Sequence, residues 1–286
     1  MHPVSPTLSH GDPPIRTSHP QVTAATASIA RVIDHLLDGK DNFKVDRECA
    51  REAIEADPAI RRITIENRRF SQRVVRHLAR EFGIEQFVDI GVGLPAAENV
   101  HQVAQSIAPK ARVVYVDNDP IVIAHGQALL TENDRVKVIN ADLRNPDGIL
   151  SHPDFIRLID LREPVAILLT PVLQFISDSE RPNEVMETIR AALAPGSYLA
   201  ISHACPDFYP DKVNGVMDAY RKAIPSATAR TRERITSFFG DFVITHPGLA
   251  WIPAWKPEGQ ITPSAAERTW HIGGIARKTA DTPAIS

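Results

Sequence analysis

The sequence predicts an α/β protein with an open, doubly wound and mostly parallel sheet of seven strands. From residue 83 onwards, short apolar segments alternate with stretches of helical periodicity, the pattern of consecutive strand–helix–strand units. The segment 164–169 is apolar throughout, as expected of a parallel strand covered on both faces. A helical stretch without strand signals precedes the alternation. We therefore predict a helical cap at residues 26–82 and a sheet domain at residues 83–286.

Apolar side chains at helical spacing mark the predicted cap. They recur first between residues 29 and 37 and again between residues 70 and 82, which indicates helices with one buried face. The polar segment 38–43 separates the two and is typical of a turn. Residues 1–25 are rich in Pro, Ser, Thr and His and show little apolar periodicity. Because such a segment buries too little surface to offset its ordering entropy, we expect a flexible tail.

Seven short apolar segments are candidates for the strands of the sheet. The predicted strands are 87–90, 113–116, 136–139, 164–169, 198–202, 242–245 and 270–276. Helices are predicted at 95–107 and 183–193, and a third begins at Asp119–Pro120. Aspartate caps the first free N–H groups of a helix and proline fits its first turn, so this start is well defined.

The composition is that of an ordinary globular protein, with 43% hydrophobic and 23% charged residues and a formal net charge of -3. The lack of a dense Lys/Arg segment argues against a nucleic-acid partner. No apolar segment approaches the roughly 18 residues that a membrane span needs, and the first residues do not resemble a signal peptide. Two cysteines are too few for a disulfide framework or a Cys-rich zinc site. We expect a cytoplasmic protein with no membrane partner and no bound metal.

The segment 88–95 joins the first predicted strand to a helix through Gly91 and Gly93. Glycines let a backbone approach a ligand closely, and a helix N-terminus presents free N–H groups. Read as Gly-x-Gly-x-x-Ala up to Ala96, the segment also fits the dinucleotide fingerprint, and a tight turn is a further alternative. The loop predicts a ligand site without defining the ligand.

Three acidic residues extend this signal across the sheet. Asp89 precedes Gly91 by two residues, Asp117 closes the second strand, and Asp142 follows the third. The carboxyl ends of parallel strands form the crevice in which such sheets bind ligands. There Asp89 can reach an ammonium group through water, Asp117 can accept both hydroxyls of a ribose, and Asp142 can accept from an adenine amino group. We interpret the set as nucleoside-binding; for each acid alone, a cap or turn is the alternative.

These features resemble the cofactor-binding half of class I S-adenosylmethionine-dependent methyltransferases. Residues 36–48 (LLDGKDNFKVDRE) resemble more specifically the signature of a bacterial family of S-adenosyl methyltransferases, formerly a domain of unknown function. The resemblance runs over residues 28–277 and continues in segments 66–70, 86–95, 113–120, 141–144 and 194–203. It implies a Rossmann-like domain, S-adenosylmethionine as cofactor, and a methyl acceptor that the family does not define.

The resemblance also implies which residues contact the cofactor. They are Lys40, Asn42, Arg68, Asp89, Gly91, Gly93, Asp117, Asn118, Asp142, Leu143 and Thr170. For Lys40 and Asn42 a well-capped polar turn is the alternative. The sequence departs from the family pattern at Asp38, where glycine is usual, at Val92 and Ala96, where threonines are common, and at Thr170–Pro171 and Gln174, where an apolar pair and a histidine are typical.

Catalysis by such an enzyme consists mainly of placing a nucleophile in line with the methyl group, with removal of its proton where required. Candidate bases are His203, at the end of the fifth strand, and Asp41. Gln174 is a candidate for orienting the acceptor through a hydrogen bond. The alternatives are a structural histidine, a polar turn and a capped chain end, respectively.

Negative observations narrow the reaction. Residues 169–172 (LTPV) do not form the Asn/Asp-Pro-Pro-aromatic tetrad of base-amino methyltransferases, and Cys205-Pro206 has the wrong order for a cytosine-C5 nucleophile. We expect O- or N-methylation of a small molecule or a peptide. A nicotinamide-dependent dehydrogenase is still an alternative function, although the sequence contains no obvious Tyr-x-x-x-Lys pair for hydride chemistry. A non-catalytic nucleoside-binding protein is a further alternative. The oligomeric state is not predicted.

Overall fold

A computed structural model describes residues 25–260 and 269–280. All of the predicted flexible tail except Ala25 lies outside the described residues. The first described elements are three helices, α1 (Ile29–Leu36), α2 (Lys44–Ala56) and α3 (Ile60–Phe82). They precede the first strand, where the sequence pattern indicated helices.

The buried carboxylate of Asp46 joins the starts of α1 and α2. It accepts hydrogen bonds from the backbone N–H groups of Ser28 at 2.9 Å and Phe43 at 2.8 Å. The Arg31 guanidinium forms a buried ion pair with the same carboxylate at 2.8 Å. A buried carboxylate with three donors is well compensated for its lost hydration. These contacts hold the start of α2, within the signature segment 36–48, against the start of α1.

Within residues 25–260 and 269–280, eight strands form one sheet. They are β1 (Gln86–Ile90), β2 (Arg112–Asp117), β3 (Val136–Asn140), β4 (Ala166–Leu169), β5 (Tyr198–Ala204), β6 (Val243–Ile244), β7 (Ala250–Trp251) and β8 (His271–Arg277). The spatial order is β3-β2-β1-β4-β5-β8-β6, with β7 also paired to β8. Strands β1 to β5 are parallel to one another, whereas β8 is antiparallel to β5, β6 and β7.

The α/β fold with a mostly parallel sheet is confirmed, and the predicted strand count of seven is one too low. The additional strand, β7, has only two residues, which pair with Gly273 and Ile272 of β8. Two residues are too short to produce a hydrophobic pattern that sequence can reveal.

Seven further helices cover the sheet among the described residues. They are α4 (Val100–Ile107), α5 (Pro120–Leu129), α6 (Pro146–Leu150), α7 (Pro153–Leu158), α8 (Pro182–Ala192), α9 (Pro210–Tyr220) and α10 (Arg232–Ser237). The helix predicted from residue 95 begins only at Val100. The reason is local: the Asn99 side chain accepts from the Ala96 N–H at 3.2 Å, and Gln102 accepts from the Asn99 N–H at 2.9 Å. These hydrogen bonds cap the N-terminus of α4, so residues 95–99 form a loop and the helix begins after it.

The strand order places a switch point beside β1. The chain passes from β1 outward to β2 and β3, and then returns to β4 on the other side of β1. Helices therefore leave the sheet in opposite directions here, which opens a crevice at the carboxyl ends of the strands. No described helix has the length and apolar character that a membrane crossing requires. Residues 25–260 and 269–280 also contain no group of three or more His, Cys, Asp or Glu side chains that could hold a metal ion.

Candidate active site

A cavity of about 440 Å³ lies at this crevice. Its walls come from the carboxyl ends of β1 to β4, from α1 and α3 above them, and from the ends of α9 and β8. The volume falls within the range of about 300–1,000 Å³ typical of small-molecule sites. The structure thus provides a concave site where the sheet topology predicts one.

Glycine is favoured at Gly91 and at Gly93 for different structural reasons. Gly91 has φ of 76°, and a Cβ built on it would lie 2.6 Å from Cγ2 of Val172. Gly93 has φ of 65°, and a Cβ there would meet nothing within 4 Å. Both residues line the cavity. Gly91 therefore allows the loop after β4 to approach, whereas Gly93 leaves free space into which a ligand can extend.

Asp117, the last residue of β2, lies across from this loop. Its two carboxylate oxygens each accept one backbone N–H, from Gly93 and from Asp119, both at 3.0 Å. Burial raises the pKa of the carboxyl, and these backbone hydrogen bonds act against that rise. Because a carboxylate oxygen can accept more than one hydrogen bond, both oxygens retain capacity for a ligand's hydroxyl groups.

Asp89 is a buried acid of the cavity whose pKa is strongly raised. Its residue is 8% exposed, and burial raises its pKa to about 7, with Arg68 acting against the rise and Asp117 adding to it. Arg68 projects from α3 into the cavity lining and donates to the Leu94 carbonyl at 2.8 Å. A carboxyl group and a guanidinium on neighbouring walls suit a ligand that carries both an ammonium and a carboxylate.

Asp142 and its neighbours close the far side of the cavity. The Asp142 carboxylate accepts from the Asn118 side-chain amide at 2.8 Å and from the Arg144 N–H at 2.8 Å. The Arg144 guanidinium lies 3.2 Å from the same carboxylate. Leu143 is buried and lines the cavity with them. This wall therefore combines an apolar surface with hydrogen-bonding groups.

The structure brings most of the predicted residues together. The cavity lining includes Arg68, Asp89, Gly91, Gly93, Asp117, Asn118, Asp142, Leu143, Thr170 and Gln174. The lining does not include Lys40, Asp41, Asn42 or His203, all of which are described.

The contacts of the polar turn between α1 and α2 explain the first three exceptions. The Asn42 amide donates to the Asp34 carboxylate at 2.8 Å and to the Gly39 carbonyl at 3.0 Å. Asp41 also donates its backbone N–H to Asp34, at 2.9 Å, and Lys40 is exposed. These residues make a hydrogen-bonded turn, the alternative interpretation of their sequence pattern.

His203 is held within the protein, away from the cavity. Its Nδ1 donates to the Ala204 carbonyl at 2.9 Å, and its Nε2 accepts from the Arg230 guanidinium at 3.1 Å. Complete burial lowers the pKa of the ring to about 3. Arg230 also donates to the carbonyls of Leu173 at 2.9 Å and Ile176 at 2.6 Å. Thus His203 belongs to a hydrogen-bonded group that holds the loop after β4.

Sequence reasoning did not identify several cavity residues, including Asn67 of α3, Tyr220 of α9 and His271 of β8. Asn67 lies in a segment that resembles the family, but no local pattern distinguishes it from a solvent-facing residue. His271 lies in the predicted strand 270–276, whose direction was not predicted. Only the antiparallel pairing with β5 brings its end to the cavity.

With this geometry established, the comparisons with known proteins give the family. The model of the S-adenosyl methyltransferase family matches residues 16–279. The chain belongs to this family. It is accordingly an S-adenosylmethionine-dependent methyltransferase with S-adenosylmethionine as its cofactor, as the resemblance implied. The dinucleotide interpretation of the glycine loop does not apply.

Solved structures agree with this assignment. A candidate methyltransferase of Thermobifida fusca YX is 42% identical with a TM-score of 0.86, over 90% of this chain and 96% of that one. A DUF574 family protein of Streptomyces avermitilis MA-4680 is 34% identical with a TM-score of 0.82, over 89% and 98%. The plantazolicin methyltransferase BpumL, solved with S-adenosylhomocysteine and a desmethyl-plantazolicin analogue, shares the fold at 13% identity and a TM-score of 0.50, over 87% and 95%. A search of curated proteins found no match.

Proposed function

We propose that this methyltransferase transfers the methyl group to an oxygen or nitrogen nucleophile of a small molecule or a peptide in the cytoplasm. The observation that carries the proposal is one continuous cavity. It joins the acidic ends of β1, β2 and β3 to a second end near β4, β8 and α9. A donor and an acceptor can therefore meet inside the same cavity.

In this proposal the first end holds the cofactor. Asp117 accepts the ribose hydroxyls, Asp89 and Arg68 hold the ammonium and carboxylate of the methionine part, and Asp142 with Leu143 contacts the adenine. The open space at Gly93 admits the nucleoside. When bound, S-adenosylmethionine supplies a methyl carbon already activated by its positive sulfur. The protein's own contribution is position and exclusion of water.

The second end is proposed to hold the acceptor. Gln174 uses its Oε1 to accept the Ala204 N–H at 3.1 Å, which leaves the amide nitrogen of its side chain as the group that can donate to an acceptor. Thr170 lines the cavity beside it. We propose that residues 26–82 act as a helical cap on a domain at residues 83–286. Helices α1 and α3 of this cap contribute residues to the cavity lining. A cavity of this size encloses a small molecule or a single side chain, not a folded macromolecule.

S-adenosylhomocysteine is expected to raise the melting temperature, and NAD is not. A ligand at one hundred times its Kd stabilises a protein by about 2.7 kcal/mol. For a chain of this size, each kcal/mol corresponds to about 2–4 °C, so we expect a rise of about 5–10 °C in a thermal-shift assay. An equal rise with NAD, or none with S-adenosylhomocysteine, would contradict the proposed donor site.

Donor binding is also expected to depend on pH through Asp89. Burial holds the carboxyl pKa near 7 in the free protein, so at lower pH the group is neutral and must lose its proton to pair with an ammonium. As the pH is raised toward 7, the affinity for the donor should increase by up to about tenfold per pH unit. Above pH 7 the affinity should become constant. Calorimetry in buffers of different ionisation enthalpy would detect the released proton.

The Asp89→Asn variant is the control for that experiment. It keeps the shape of the side chain and removes the titrating group, so binding should be weaker and should lose both the slope and the released proton. A slope that persists in Asp89→Asn would assign the pH dependence to another group.

A further inference from the structure

His271 is the first residue of β8 and faces the acceptor end of the cavity. It pairs with Ala204, the last residue of β5, so the antiparallel strand begins at the edge where the parallel strands end. The residue is 3% exposed and lines the cavity. On the same face of β8, the next inward position, Gly273, lies under Phe70 of α3. His271 therefore projects between the sheet and α3.

Neither ring nitrogen of His271 has a hydrogen-bond partner among the described residues. The other completely buried histidine of this region, His203, has both of its nitrogens bonded, at 2.9 Å and 3.1 Å. Burying a polar group without a partner costs free energy, so buried polar side chains are nearly always satisfied. Burial lowers the pKa of His271 to about 3, which leaves a neutral ring with one donor and one acceptor nitrogen. A ligand in the cavity can supply the missing partner.

The surroundings of His271 carry no charge. Burial alone, with no charged neighbour, accounts for the lowered pKa of His271. The cavity lining contributed by α3, the loop after β4 and α9 includes the uncharged residues Ile60, Ile63, Asn67, Gln174, Phe175 and Tyr220. Arg31, Arg68 and Arg144 also line the cavity. Arg31 is paired with Asp46 at 2.8 Å and Arg144 with Asp142 at 3.2 Å, and the proposed function assigns Arg68 to the carboxylate of the cofactor. A charged acceptor would lose its hydration here without gaining a free counter-ion, at a high cost. The walls therefore favour an uncharged molecule with an apolar or aromatic body.

We propose that the methyl acceptor is uncharged and donates a hydrogen bond from its O–H or N–H group to the free ring nitrogen of His271. This inference rests on the proposed function and narrows it to a substrate class. The hydrogen bond would fix the nucleophile relative to the cofactor end of the cavity. Such fixing is the main contribution that a protein makes to methyl transfer.

The test uses p-cresol and toluene as probes with protein saturated by S-adenosylhomocysteine. The two differ by one hydroxyl group, and a net hydrogen bond corresponds to about fivefold in affinity. We expect p-cresol to bind about fivefold more tightly than toluene in ligand-observed NMR titrations. In His271→Phe the ratio should fall to about one. The matched control His77→Phe makes the same change on α3 at a residue that is not part of the described lining, and it should keep the wild-type ratio.

A second measurement covers the case in which His271→Phe does not fold. The ring nitrogens of the 11 histidines can be labelled with ¹⁵N, and the His271 signal identified by its absence in His271→Gln. We expect p-cresol to shift this signal and toluene to leave it unchanged.

Different results test the proposed donor site and the proposed role of His271. Failure to bind S-adenosylhomocysteine would contradict the donor site itself. If the donor product binds, equal affinities for p-cresol and toluene in the wild type, or a ratio that His271→Phe does not change, would overturn the role of His271. Tighter binding of the anionic p-hydroxybenzoate, or binding of neither neutral probe, would overturn the uncharged substrate class.

Discussion

Replacing Asp117 by alanine is expected to weaken S-adenosylhomocysteine binding about 100-fold or more. Each hydrogen bond to a charged acceptor contributes about 1.5–3 kcal/mol, and the proposed ribose contact contains two of them. Since about 1.4 kcal/mol corresponds to a factor of ten, the combined loss exceeds two orders of magnitude. Isothermal titration calorimetry measures the change directly.

Two controls accompany this variant. Asp117→Asn keeps the size of the side chain and one carbonyl acceptor, so its loss should be smaller than that of Asp117→Ala. Asp134→Ala removes an exposed acid just before β3 and should leave affinity unchanged. Because Asp117 also accepts from Gly93 and Asp119, the melting temperature of the free variant must be recorded as well. Unchanged affinity in Asp117→Ala would refute the ribose assignment.

Gly91→Ala is expected to lower the free energy of unfolding by about 2–4 kcal/mol. One part is the positive φ of 76°, which costs an L side chain about 1 kcal/mol. The other is the contact of 2.6 Å between the new Cβ and Val172 Cγ2, since overpacking costs about 1–3 kcal/mol. Urea unfolding would measure the loss, and donor binding should fall too, because the loop after β4 must move.

Gly83→Ala separates the two contributions. Gly83 has nearly the same φ, 64°, at the end of α3, and a Cβ there would meet nothing within 4 Å. Its loss should therefore be only about 1 kcal/mol. A Gly91→Ala variant as stable as Gly83→Ala would mean that the approach of Val172 does not restrict the loop.

The sequence predicted the central part of the fold because local patterns determine it. The strands β1 to β5 are apolar segments bounded by polar residues, and their limits were found to within about two residues. The start of α4 was misplaced because side-chain caps at Asn99, rather than helix propensity, decide where it begins. The direction of β8 was not predicted, since strand direction depends on how the chain returns to the sheet.

The residues of the candidate site also fall into those that the sequence could predict and those that it could not. The glycines and the three acids could be predicted because the carboxyl ends of parallel strands necessarily share one edge. The choice between His203 and His271 could not. Side chains alternate between the faces of a strand: Ser202 of β5 bonds to Asn67 of α3 at 2.6 Å, whereas the next residue, His203, faces Phe238 on the opposite side. The packing of α3 against the sheet decides which face of β5 borders the cavity. No local sequence pattern indicates this packing.

The most direct test is an experimental structure with S-adenosylhomocysteine bound. We predict the ribose hydroxyls within hydrogen-bond distance of Asp117, the adenine beside Leu143 and Asp142, and the sulfur directed toward the end of the cavity that contains Gln174 and His271. A nucleoside bound elsewhere, or a sulfur directed away from Gln174 and His271, would contradict a donor and an acceptor meeting in this cavity.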